Sequence, residues 1–286
     1  MMSSNQMADL IRSKNWIDTP LGDMGTWPSQ LTTSVQIILD SRYPMFVWWG
    51  KELINLYNDA YIPVLGNRHP KALGESAPQI WADIWNVIGL QAEIVFQEGR
   101  ATWNEELPLF MRRYGFLEET FFTFSYSPIK NEEGVVLGLF CACTEETSQV
   151  LKGRRLNTLR QISAATERAH SVEEVCRFSA EALTTNPFDI PFSLMYLWDS
   201  EERSLRLVAQ SGFQLDSLLT PPRLTVDGDT FHPRPWWPIP LPSQWEETVF
   251  HIDSHLGPPG GAWPEPSRQG MVLPLESWET EKNPGI

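Results

Sequence analysis

Cysteine is scarce in this chain: 3 in 286 residues, at Cys141, Cys143 and Cys176. An odd, sparse set leaves no disulfide framework and suits a reducing compartment. Basic residues are few as well, 22 Lys and Arg against 36 Asp and Glu, giving a formal net charge of −14. Phosphate backbones and anionic lipid surfaces are bound by clustered Lys and Arg, so nucleic acid and membrane surfaces are poor partners here. No apolar run approaches the roughly 20 residues that span a bilayer. The opening "MMSSNQMADLIRSKNW" also lacks the basic-then-apolar order of a secretory signal. A cytoplasmic protein is the expectation. G-x-S-x-G, Walker and G-x-G-x-x-G motifs are missing too, which removes the usual nucleophile elbow and phosphate loops.

What is present is aromatic. Hydrophobic residues make up 42% of the chain, enough for a sizeable core. Residues 16–147 alternate aromatic runs with turn signals, residues 148–183 read as helical, and prolines crowd in after Phe213. "SQLTTSVQIILDS" places Leu31, Val35, Ile38 and Leu39 on one helical face. "YPMFVWWG" and "ELINLYN" read as two strands joined by a tight turn. Apolar positions Ile80, Trp81, Ile84, Trp85, Ile88, Ile94 and Val95 then recur at helical spacing. Three further strands follow, the first two joined at "YG" and the third set off by "KNEEG". The expected strands are 45–49, 53–57, 101–112, 119–129 and 135–144, all antiparallel. Two strands, a helical middle and three strands favour an α+β domain over alternating βαβ units.

"TPLGDMGTWPSQL", "YPMFVWWGKELINLYNDAY" and "FTFSYSPIKNEEGVVLGLF", taken together, resemble a PAS domain of a bacterial sensor histidine kinase. The resemblance implies a five-stranded antiparallel sheet, with helices between strands two and three closing a small cavity. "SVEEVCRFSAEALTTNPFDIPFSLMYLWD", "LRLVAQSGF" and "MVLPLE" are similar to parts of a GAF domain, with "MVLPLE" as a central strand. The further strands and closing helix of that pattern do not follow, and neither does a kinase segment. The expected organisation is an N-terminal tail 1–15, a PAS-like domain 16–147, a connecting helix 148–170 and a partial GAF-like α+β domain 171–286 with a Pro-rich insert.

Several constellations could carry chemistry. Leu159, Ile162, Thr166 and Ala169 stand at 3-4-3 spacing, which fits a short coiled-coil seam or a helix packed on its own domain. "SVEE" at 171–174 fits a capping box and predicts a new helix there. His251 and His255 stand four apart, but in a run broken by Gly and Pro and without the glutamate of a zinc peptidase. No metal site is expected from them. Cys141 and Cys143 share a sheet face and read as buried packing groups. The pairs Glu105–Glu106 and Glu118–Glu119 should point to opposite faces of a strand, so neither is an acid–base dyad. Trp48 or Trp49, Phe122, Phe124 and Tyr126 come from strands expected to be neighbours, with Asn58 and Asp59 at the cavity mouth. Aromatic walls with a few polar groups suit a small-molecule pocket, and the same rings can equally fill a core.

The resemblance therefore implies a sensory module of a two-component phosphorelay protein. A small molecule or partner would act through the connecting helix on a kinase absent from these residues, and the chain would not itself be an enzyme. The ligand-cavity candidates are Trp48, Asn58, Phe122 and Phe124. No covalent flavin or bilin is expected, because the attaching cysteine motifs are missing. A homodimer through the PAS-like domain and the connecting helix is the expected assembly. The alternative is a stand-alone PAS-type dimerisation module without ligand.

Overall fold

The computed structural model describes residues 6–213, 218–228, 230–233, 235, 237–239, 246–252 and 257–275. The chain divides into two compact units, with the boundary between Leu151 and Lys152.

The first unit is built from α1 (Gln6–Ser13), α2 (Ser29–Asp40), β1 (Met45–Trp49), β2 (Ile54–Tyr57), α3 (Ile62–Leu65) and α4 (Ala77–Ile80), then α5 (Trp85–Glu98), β3 (Thr102–Met111), β4 (Glu118–Lys130) and β5 (Val136–Glu145). The five strands form one antiparallel sheet in the order β2-β1-β5-β4-β3. Each strand lies within two residues of the span its alternation predicts. Gly50, at φ 71°, takes the left-handed conformation that the β1–β2 turn needs. The register sets Phe46 opposite Cys141, and Cys141 in turn opposite Tyr126. Side chains alternate across a sheet, so Phe46 and Trp48 share one face while Val47 and Trp49 share the other. On the first face α5 packs against β3, β4 and β5, while α2 packs against β1 and β2. Leu31, Val35 and Ile38 make the buried face of α2, as its periodicity predicts.

Some expectations need correction. Residues 6–13, assigned to a tail, form α1, whose Met7 and Ile11 are buried in the same apolar core as α2. The Met7 N–H also donates to Asp59 Oδ1 at 3.1 Å, fixing the helix to the domain. The helical pattern from Ile80 to Val95 is interrupted after α4. At the break, Asp83 Oδ2 accepts from Arg68 Nη2 at 2.6 Å and from the Arg112 N–H at 2.8 Å. Those ties hold a turn where periodicity alone would run a helix through. Glu105 and Glu106 do not sit in a regular strand, because the β3–β4 register shifts between Asn104 and Leu107. Glu106 there has φ 47° and both carboxylates are exposed.

The second unit continues α6 (Thr147–Thr166) and adds α7 (Val172–Leu183), β6 (Ser193–Asp199), β7 (Ser204–Ser211), β8 (Arg223–Asp227), β9 (Thr230–His232), β10 (Thr248–His251) and β11 (Gln269–Val272). The Ser171 hydroxyl accepts from the Glu174 N–H at 3.2 Å, and the Glu174 carboxylate accepts from the His170 N–H at 2.8 Å. Those two bonds start α7 as the capping signal predicts. Strands β6-β7-β8-β9 form a four-stranded antiparallel sheet, and among the described residues β10 pairs with β11 alone. Strands β8 and β9 lie within the Pro-rich stretch. Pro221, Pro222 and Pro233 fall just outside the two strands and leave their ladders intact. "MVLPLE" is not a central strand among the described residues: Met271 and Val272 pair only with Val249 and Thr248.

Candidate functional site

The first unit holds a cavity of about 30 Å³ between the sheet and the α3–α5 segment. At roughly 10–15 Å³ per water, that is space for about two waters. The sheet side is assembled by alternation. Phe46 and Trp48 come from β1, Phe122, Phe124 and Tyr126 from β4, and Cys141 and Cys143 from β5. Ring centroids lie 4.8 Å apart for Phe46 and Trp48, 5.3 Å for Trp48 and Tyr126, and 4.9 Å for Phe124 and Tyr126. Those separations are the normal range of packed aromatic pairs. The helical side contributes Tyr61, Val64, Trp81, Ile84 and Ile88.

Polar groups within this wall are few and neutral. Trp48 Nε1 donates to Asn55 Oδ1 at 3.0 Å, and Asn55 Nδ2 donates in turn to the Ala72 carbonyl at 3.1 Å. That chain fixes the Trp48 ring. Burial pushes the Tyr61 and Tyr126 phenols and the Cys141 thiol well above their ordinary pKa values. All three stay protonated at neutral pH.

Of the four residues the sequence nominates, the structure brings Trp48, Phe122 and Phe124 into the wall. Asn58 is not there. Its Oδ1 accepts from the Met45 and Tyr61 N–H groups, and its Nδ2 donates to the Ile38, Ser41 and Tyr43 carbonyls. Every hydrogen-bonding position of the amide is spent on backbone, so Asn58 is a cap joining α2 to the sheet. Asp59, likewise expected at the mouth, holds α1 instead. Tyr61, Met111 and the paired cysteines complete the wall without having been nominated as ligand contacts. The thiols could have been found from strand register, because Phe46 and Tyr126 flank Cys141 directly.

A second feature lies where β5 meets α6. Arg113, 8% exposed, donates to both carboxylate oxygens of Glu145 at 2.7 Å and to Glu118 at 3.2 Å. The Glu145 hydrogen bonds above all hold the guanidinium charged, against the opposing effect of burial. Glu145 also accepts from Thr147 Oγ1 at 3.0 Å, and that oxygen accepts from the Phe121 N–H at 3.0 Å. The first residue of α6 is thus tied to β4 and, through Glu145, to the β3–β4 turn. His251 lies in β10 opposite Gln269, while His255 is outside the described residues. Among the described residues no three potential metal ligands cluster. No described helix is long and apolar enough to cross a membrane.

The first unit has the α+β architecture that the PAS resemblance implies: five antiparallel strands, helices between strands two and three, and a small cavity between them. No protein-family model and no curated protein matches the chain. Among solved structures it is similar to an RNA-binding light-oxygen-voltage receptor, at 17% identity and a TM-score of 0.34. That match covers 51% of this chain and 42% of the receptor, less than half of the latter's length. It is also similar to the PAS domain of BvgS from Bordetella pertussis (16% identity, TM-score 0.31, 46% of this chain and 98% of that one). A third likeness is to the PAS domain of the fruit-fly ELK potassium channel (13% identity, TM-score 0.34, 42% and 99%).

Proposed function

We propose that the chain is the sensory region of a two-component signalling protein: its PAS-like domain receives a small molecule, and α6 carries the resulting change toward a kinase output. The observation that carries this reading is the coupling of cavity to helix. Cys141 and Cys143 of β5 face the cavity, and two residues past Cys143 the same strand places Glu145 in the Arg113 clamp that anchors Thr147. A ligand that displaced β5 would alter the clamp, and with it the packing of the first turn of α6. Such a shift needs a difference in ligand affinity between two arrangements. The second unit serves in this reading as a GAF-like module. The chain itself transfers no phosphoryl group, having none of the motifs for it, and acts in the cytoplasm as a homodimer.

The alternative, a dimerisation module without ligand, draws support from the same cavity, whose 30 Å³ leaves the core nearly filled. Exposed apolar groups such as Trp103 and, on α6, Leu156 and Leu159 would then serve a partner. Hydrogen exchange separates the two. On the sensory reading, a small molecule recovered from denatured protein changes the exchange protection of residues 147–151 when added back, and Arg113→Gln abolishes that response. A dimer with nothing to extract and an unresponsive α6 would establish the alternative. Incubation with ATP and magnesium leaves the purified chain unlabelled on either reading.

A further inference from the structure

The cavity wall is neutral, and its few polar groups can donate. Trp81, 2% exposed, buries its Nε1–H without a hydrogen-bond partner. Trp48, the other tryptophan of the wall, has its N–H bonded to Asn55. Buried polar groups are nearly always paired, so an orphan in a cavity wall asks for an occupant that accepts. Tyr61, Tyr126 and Cys141 line the same space, and burial keeps their hydroxyls and thiol in the protonated form. No carboxylate, amine or guanidinium is part of the wall. Arg68 stacks on the Trp81 ring, 4.4 Å from its centroid, and its charge is met by Asp83 at 2.6 Å. A bare ion in the cavity would find no counter-charge in the wall, and burying it unpaired is strongly unfavourable.

We infer that the cavity takes a small uncharged molecule with a carbonyl-type acceptor oxygen, about two or three non-hydrogen atoms in all, held by the Trp81 Nε1–H. The aromatic side chains receive its apolar part. Small aldehydes and amides meet this description, whereas flat cofactors exceed its size and charged metabolites lack its neutrality. The assignment rests on the reading of the cavity as a ligand site and adds to it the chemistry of the ligand.

The test uses the full chain with nitrogen-labelled indoles, titrated with formamide and, separately, with propene, which has the same number of heavy atoms and no acceptor. Formamide should move the Trp81 indole N–H resonance saturably and leave that of Trp48 in place, the Trp81 signal being the one that Trp81→Phe removes. Trp81→Phe should weaken formamide binding about tenfold, as loss of one hydrogen bond does, and leave propene binding unchanged. Should Trp81→Phe not fold, the parent chain decides: one indole N–H shifting with formamide and none with propene supports the assignment, and any other pattern overturns it. Propene binding without formamide binding would overturn the acceptor class and leave the ligand cavity standing. Binding of neither probe would overturn both.

Discussion

Trp48 and Trp49 are adjacent, and both are buried, yet they do different work. Trp48 is fully buried, hydrogen-bonded to Asn55, and in ring contact with Phe46, Trp85 and Tyr126. Trp49 is 9% exposed on the opposite face, its ring so close to Gly138 that a Cβ there would lie 2.8 Å from it. Truncating a core tryptophan costs about 3–5 kcal/mol. Trp48→Ala should fall in that range and also leave Asn55 Oδ1 unpaired, with Trp49→Ala costing less. Urea unfolding midpoints of the two variants check this, and a larger loss in Trp49→Ala would reverse the ranking. That one of the pair faces the cavity was legible, since alternation sends one inward, but which of the two was not. That Trp49 is buried as well was not, because the cover on its side comes from elements remote in sequence. Asn58 shows the limit from another side. An Asn after a strand can be a cap or a ligand contact, and only its five backbone partners decide.

At the scale of elements, signals local to one segment carried through, and those that depend on distant partners did not. The capping box at Ser171 is local, and α7 begins there with Val172. The turn between α4 and α5 is not local, because Asp83 is held by Arg68 and by the backbone of Arg112, 29 residues further on. The sheet was legible because strand periodicity marks the five strands and the PAS resemblance implies how they are arranged. The cavity's helical wall was half legible: Trp81, Ile84 and Ile88 stood out as periodic but could not be assigned to the site. The capping bond offers a direct test. Ser171→Ala removes the acceptor for the Glu174 N–H and should lower the stability of the second unit by about 1 kcal/mol. Ser171→Asp, which restores an acceptor, should recover it. Thermal melts followed by a probe in each unit would show the loss in the second alone; an equal loss in both, or no rescue by aspartate, would place the effect elsewhere.

At the scale of the whole chain, the two units differ in how much apolar surface they close off. The first unit buries α1, α2, the central helices and both faces of β1 in one continuous core. In the second, the buried cluster among the described residues consists of Tyr196, Leu205, Leu224, Phe231 and Val272, with smaller contributions around it. The two-stranded β10–β11 ribbon rests on that cluster through Val272 and Phe250. The β10–β11 pair in addition leaves Val249 61% and Met271 52% exposed on its surface, directly opposite each other in the register. Each ordered residue costs roughly 1–2 kcal/mol of backbone entropy, which so small a buried area offsets poorly. Brief proteolysis should therefore cut first between residues 214 and 270 and leave a resistant fragment that retains residues 6–147. The β10–β11 surface should also make the intact chain self-associate more readily than that fragment, which ultracentrifugation of the two would register. A digest in which residues 6–147 disappear before the 214–270 region is cleaved would reverse the order of stability, and with it the division into a robust first unit and a weakly closed second one.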